Sequence, residues 1–201
     1  MAIGLTLGEV KDRALKLMDE WSLQGVREDG SFIADYEQKF NILADQAQQE
    51  ISDSVGIYAT VTITPSTVPT IVNQNGLNKY LLPVDYKDHR YVRVNDDLLY
   101  RDYRIEDNYF IIAQDSTSNF TLHYYKYPTI INDSTPDSYV FEVDPYTHYI
   151  IPYYIGGTVL MSSSEDTQLS DKLLNTYYDK LRTLTKREIR YPRTARQVVR
   201  W

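Results

Sequence analysis

Tyr58-Ala-Thr-Val-Thr-Ile-Thr64 is the stretch on which the fold turns. Upstream, apolar residues recur in steps of three and four; from Ile57 they alternate and become β-branched, which is the signature of strands. Working outward, the strand pattern persists to Tyr127. Thr67–Val72 continues it after Pro65, and Asn75-Gly76 marks a turn. Lys79–Leu82 is a short strand stopped by Pro83. Arg90–Asn95 alternates strictly and turns at Asn95-Asp96-Asp97. Leu98–Ile105, Tyr109–Ala113 and Asn119–Tyr127 follow. Short strands with turns every 8–12 residues predict an antiparallel sandwich or barrel-like domain.

Helical signals flank this region. Thr6-Leu7-Gly8-Glu9 fits a capping box, and Leu7, Val10, Ala14, Leu17, Met18 and Trp21 form one helical face. That helix is expected to end near Leu23–Gly25. A second helix starts about Ser31 with the stripe Ile33, Tyr36, Phe40, Leu43, Ala44, Ala47 and Ile51, opposite a polar face of Asp35, Gln38, Asp45, Gln48 and Gln49. A short connection predicts that the two pack antiparallel. After a polar connector, Thr129–Ser138, Asp144-Pro145 is the expected N-terminus of a third helix, kinked or divided at Pro152. A fourth carries Leu169, Leu173, Leu174, Tyr177, Tyr178, Leu181 and Leu184. The expected fold class is α+β: a four-helix scaffold (residues 1–56 and 144–189), an inserted β-domain with its connector (57–143), and a basic C-terminal arm (190–201).

Composition narrows the function classes. With 42% hydrophobic and 24% charged residues in 201, the chain has the means to build a core. No apolar run reaches the roughly 20 residues that span a bilayer, and Met1–Thr6 does not read as a secretory signal. Cysteine is absent, which excludes disulfides and thiolate chemistry. Tyrosine is abundant, 19 residues against five Phe and two Trp; its apolar face and polar tip suit half-buried sheet faces and subunit interfaces. Charge is uneven. Residues 1–171 hold 12 Lys/Arg and 26 Asp/Glu, whereas residues 172–201 hold nine and two. A basic tail on an acidic body points to an acidic partner.

No constellation for catalysis is evident. His89, His123 and His148 lie in three different elements without metal-ligand spacing, and no nucleophile elbow, dinucleotide fingerprint or phosphate loop occurs. The carboxylate pairs Asp96-Asp97 and Glu106-Asp107 sit at turns, where turn chemistry accounts for them. The reading is therefore of a protein that is not an enzyme and takes no cofactor or metal. The sharpest constellation is the arm itself: Arg190, Tyr191, Pro192, Arg193, Arg196, Val198, Val199, Arg200 and Trp201. Arg pairs bidentately with carboxylates or phosphates, and Trp is a frequent interface anchor.

The order of these pieces resembles the head-to-tail adaptor (connector) proteins of tailed bacteriophages. The resemblance is carried by Leu5–Trp21, Gln46–Ile51, Tyr80-Leu-Leu-Pro-Val-Asp85, Val92–Asn95, Tyr103-Arg104-Ile105, Tyr124–Pro128 and Asp144–Tyr149. It implies a structural protein of the virion neck, assembled in the host cytoplasm. It further implies a ring of identical copies, usually twelve, docked under the portal protein. Such a ring meets a further neck or tail protein and has DNA only as passing channel contents, with no membrane partner. In such relatives the C-terminal segment reaches the portal, which assigns that role to residues 190–201. Two other classes stand beside it: a baseplate- or fibre-type binding module acting through the Tyr-rich β-domain, and a nucleic-acid-binding protein acting through the arm.

Overall fold

The computed structural model describes residues 4–18, 31–64, 71–73, 76–94, 98–113, 118–163 and 167–190. It is of the α+β class, with four helices and two four-stranded antiparallel sheets among these residues. The chain divides into two compact units. Residues 57–127 form a continuous β unit, and residues 1–56 and 128–201 form a helical unit.

In the helical unit, α1 (Leu7–Leu17) opens with the capping box: Thr6 Oγ1 accepts from the Glu9 amide, and the Thr6 amide donates to Glu9 Oε2 at 2.8 Å. The helix closes at Met18, earlier than Leu23–Gly25; Trp21 and Gly25 lie outside the described residues. α2 (Ser31–Val55) buries Tyr36, Phe40, Leu43, Ala44, Ala47 and Ile51, the stripe read from the sequence. It ends where Gly56 adopts φ +82°, a left-handed C-cap that a side chain would strain.

α3 (Ile151–Ser163) is the helix on which α1, α2 and α4 (Thr167–Arg190) all pack. α1 and α2 also touch, but both have α3 as their main neighbour, so the expected helical pair is instead organised around a third partner. Ile151, Ile155, Val159 and Leu160 are buried on it, and so are Gly156 and Gly157. Helices on several sides leave α3 no polar face. A methyl group on Gly156 would lie 3.3 Å from both Met18 Cγ of α1 and Leu173 Cδ1 of α4. On Gly157 it would lie 2.7 Å from Leu174 Cγ and 3.2 Å from the Leu174 amide nitrogen. Ser170 Oγ donates to the Gly157 carbonyl at 2.8 Å across the same contact.

The third helix does not begin at Asp144-Pro145. Residues 145–150 are consecutive turns closed by short-range bonds, among them Thr147 to the Asp144 carbonyl and Ile150 to the Thr147 carbonyl. Pro152 explains the delay. It lacks an N–H, and its ring clashes with the carbonyl four residues back, so a helix through 148–152 is disfavoured and one starting at Ile151 is not. Pro152 therefore occupies the first turn, where its missing donor costs nothing, and divides no helix. His148, expected in a helical first turn, is instead fully buried in the turn segment. Its Nε2 lies 2.9 Å from the Val143 carbonyl, and its ring meets Phe141 edge-on and abuts Gly4.

Residues 128–143, grouped with the β-domain on sequence, belong to the helical unit. The polar side of α2 holds them. Asn41 donates to the Asn132 carbonyl, Asp45 accepts from the Ile131 amide, and Gln48 donates to the Thr129 carbonyl while accepting from the Glu142 amide. The first turn of α1 closes the other side: the Leu7 and Gly8 amides donate to the Tyr139 and Asp137 carbonyls, and Lys11 pairs with Asp137 at 2.7 Å. Two amides at the helix start, which have no partner within the helix, thereby find them in the connector.

The β unit pairs β1 (Tyr58–Ile63), β8 (Phe120–Lys126), β4 (Tyr86–Val94) and β5 (Leu98–Tyr100) in that order, and β2 (Ile71–Asn73), β3 (Leu77–Leu81), β7 (Tyr109–Ala113) and β6 (Arg104–Glu106) in another sheet. Neither sheet closes into a barrel. Leu98–Ile105, expected as one strand, is two: the chain bends at Arg101–Tyr103 and passes from one sheet to the other. The alternating residues of both sheets meet in one core, with Val92, Phe110, Ile112, Phe120 and Leu122 fully enclosed. Asp107 and Asn108 both have positive φ and make the tight β6–β7 hairpin, so Glu106-Asp107 is turn chemistry.

Two outcomes follow from the α3 packing. Gly157→Ala gains about 1 kcal/mol of helix propensity but forces Leu174 and its backbone aside at about 2–3 kcal/mol, the upper part of the overpacking range because backbone must move; urea denaturation should show a net loss of about 1–2 kcal/mol. Burial of His148 in the turn lowers its pKa from 6.5, against the opposing pull of the Val143 and Leu5 backbone and of Asp144. The unfolded chain then takes up the proton first, so stability is fully present above pH 6.5 and falls as the pH drops through the folded value. The urea midpoint should decline below pH 6.5 in the wild type and less steeply in His148→Gln.

Candidate functional site: a cation–aromatic sheet face

Alternation along β1 and β8 sends Ile63, Phe120, Leu122 and Tyr124 into the core and Tyr58, Thr60, Thr62, Thr121, His123 and Tyr125 outward. Register sets Tyr58 opposite Tyr125 and Thr60 opposite His123. On the other side of β8, Tyr91 faces His123 and Arg93 faces Thr121. The pairing of β4 with β8 slips between His89 and Tyr91, a bulge at Arg90. A bulge puts one extra residue into the strand and re-aims the side chains beside it. Arg90 and Tyr91 thus both serve the outer face, which strict alternation forbids.

The side chains form a continuous layer. The Arg90 guanidinium lies 4.1 Å from the Tyr58 ring centroid and 5.4 Å from that of Tyr125, and these two rings are 5.0 Å apart. Tyr91 stacks on His123 at 4.3 Å, and Arg93 lies 5.5 Å from the Tyr91 ring. A guanidinium stacked on aromatic rings is held flat with its N–H edge toward solvent, a geometry suited to a carboxylate or phosphate. Beside this layer opens a cleft of about 640 Å³ whose lining includes His89, Arg90, Arg101 and the rings of Tyr86, Tyr91 and Tyr103. Below it, the Tyr124 hydroxyl donates to Asp85 at 3.0 Å. Burial, then Asp85, pushes the Tyr124 hydroxyl up to about 12, and burial with Asp88 does the same for Tyr86. Both remain neutral donors across the physiological range.

The residues singled out on sequence fall differently. Arg190 closes α4, so the helix extends one residue into the segment read as an arm. Tyr191, Pro192, Arg193, Arg196, Val198, Val199, Arg200 and Trp201 lie outside the described residues, as do Asp96 and Asp97. His89 is exposed beside Asp88, His123 is half-buried in the stacked layer, and His148 is in the helical core, so the three do not converge. Among the described residues no group of three or more His, Asp or Glu side chains is arranged to hold a metal, and no helix is long and apolar enough to cross a membrane. The Arg90 layer was missed by the sequence reading. Its signal was the density of Tyr and Arg in two adjacent strands, but the bulge that brings Arg90 onto the face has no mark in the sequence. The sequence matches no protein-family model and no curated protein.

If Arg90 belongs to a binding surface and does not hold the sheet together, Arg90→Ala should lower the urea stability by no more than about 1 kcal/mol, the scale of an exposed cation–π contact. A loss well beyond that would make the residue a structural strut.

Proposed function

We propose that the chain is a structural subunit of a bacteriophage virion: a head-to-tail adaptor, part of a ring that joins the portal to the tail and continues the DNA channel. The observation that carries this reading is the character of the surface. Val84 is fully exposed, and Ile130, Tyr146, Ile42, Val140 and Met161 are each more than half exposed. Exposed apolar and tyrosyl side chains of this size suit a chain that other proteins cover. The layout supports it too: four helices flank two small antiparallel sheets, with the basic segment following α4 in sequence, and we read these as a four-helix scaffold carrying an inserted sandwich-like domain. The partners are then neighbouring copies, about twelve to the ring as in the resembling family, the portal, and a further neck or tail protein. The acidic body lets DNA pass without adhering.

The cation–aromatic face favours one other reading, a binding module that recognises an acidic carbohydrate through stacked rings and Arg90. The nucleic-acid reading rests on the arm and predicts DNA retention that falls steeply with salt.

Residues 191–201 are assigned to the portal. Arg193, Arg196 and Arg200 meet carboxylates, while Val198, Val199 and Trp201 fill apolar pockets, contacts worth about 2 kcal/mol or more each when truncated. Electron microscopy of the full chain mixed with its portal should show a ring on the portal vertex, and no stable ring at low micromolar concentration without it. Removing 191–201 should abolish that binding and leave the thermal midpoint within about 2 °C. Undiminished binding by the truncated chain would reject the arm assignment, and a portal that recruits no full-length chain would reject the adaptor.

A further inference from the structure

Charge on this chain is segregated in a way that net values hide. On the outer face of the paired strands β1, β8 and β4 stand Arg90 and Arg93, with Asp88, opposite Tyr125, as the one carboxylate of these three strands. The other seven carboxylates of residues 57–127 lie outside these three strands. The reverse holds for residues 128–171, which carry seven Asp/Glu and no Lys or Arg. Within that segment Asp133 and Asp137 are exposed, Asp137 pairing with Lys11, and Ile130, Val140 and Tyr146 are exposed as well. One surface is cationic and aromatic; the other is acidic and carries exposed apolar groups.

We propose that the cation–aromatic face of one copy docks on the Thr129–Tyr146 surface of a second copy, which supplies a specific contact for the ring and rests on the adaptor reading. A contact between two different surfaces of identical chains is heterologous and continues from copy to copy; it does not stop at dimers, and it closes into a ring where the rotation between copies allows. Arg90 already lies over the Tyr58 ring and near that of Tyr125 before any partner arrives, so less of its rotamer freedom is lost on pairing with a carboxylate. The Tyr rings and Ile130, Val140 and Tyr146 supply the apolar area that charge alone lacks. Complementary charge steers the encounter and sets its polarity, because face-to-face association of two cationic surfaces is repulsive. The bulge at Arg90 thereby gains a role: without it, Arg90 and Tyr91 would point to opposite sides of the strand.

The absence of cysteine provides the test. Thr60→Cys places a thiol on the face beside Arg90, and Ser138→Cys places one next to Asp137. The two full-length variants are mixed at roughly 0.3 mM, a concentration that populates a weak association, and treated with a short bis-maleimide. The mixed product should exceed either homodimer about tenfold, and about 0.5 M salt should remove the excess. Arg90→Glu on the Thr60→Cys copy should cut the mixed product about tenfold, and Asp133→Lys on the Ser138→Cys copy should recover it. Equal yields of mixed and homodimeric products, or a mixed yield indifferent to Arg90→Glu, would overturn the proposal. So would Arg90→Glu abolishing retention on immobilised acidic oligosaccharide while cross-linking is unchanged, since the occupant is then foreign. Microscopy separates this from the adaptor reading. Arg90→Glu chains that still form normal rings on the portal sink the interface alone, whereas a wild-type chain that forms no ring there sinks the adaptor and leaves the cross-linking result standing.

Discussion

The close approach of α4 and α1 to α3 at Gly156 and Gly157 is the constraint from which the helical unit follows. With no side chain at these positions, Leu173, Leu174 and Met18 fill space that a methyl group would take. The helix between them is largely buried, and its composition agrees: Ile151, Ile155, Val159 and Leu160 are enclosed, with Ser170 binding one of its carbonyls and Met161 exposed near its end. A helix enclosed on several sides cannot tolerate a bend. The proline near its start sits in the first turn, where it sets the start point of the helix and does not interrupt it.

The surrounding segments show how polar groups serve a helical unit of this kind. Asn41, Asp45 and Gln48 occupy one side of α2 and bind the backbone of residues 129–142, while amides of the α1 first turn bind the same stretch from the other side. A segment with no regular structure thereby finds partners for several of its backbone donors and acceptors, as a buried irregular chain requires. His148 is part of the same arrangement. It fixes the turn segment through the Val143 carbonyl and leaves room for Gly4 alone against its ring.

In the β unit one of the two register shifts between β4 and β8, that between His89 and Tyr91, separates core from surface function. Alternation places one face of β1, β8 and β4 in the core, and would place Arg90 and Tyr91 on opposite sides. The bulge cancels that alternation at one step and gathers a guanidinium and several rings outward. Bulges interrupt pairing and bend the strand, so the feature comes at some expense to the ladder. The gain is a pre-arranged layer in which Arg90 and Arg93 stand among aromatic rings on the outer face of the sheet.

Local pattern was enough for much of this. The capping box at Thr6–Glu9, the stripe of α2 from Tyr36 to Ile51, the change of period at Ile57 and the turn at Asp107-Asn108 are each set by neighbours a few residues apart, and the α+β class follows from their order. What only the tertiary structure decided depends on partners distant in sequence. Gln48 reads as a solvent-facing residue of an amphipathic helix until residues 129–142 supply its hydrogen bonds. Asp144-Pro145 reads as a helix start until Pro152 and the buried His148 favour turns. Leu98–Ile105 reads as one strand until its two ends pair in different sheets. Arg90 reads as one more strand residue until the register with β8 slips beside it. Periodicity records which side of an element is apolar, but register, burial of polar side chains and element boundaries are set by contacts that form only when the chain has folded.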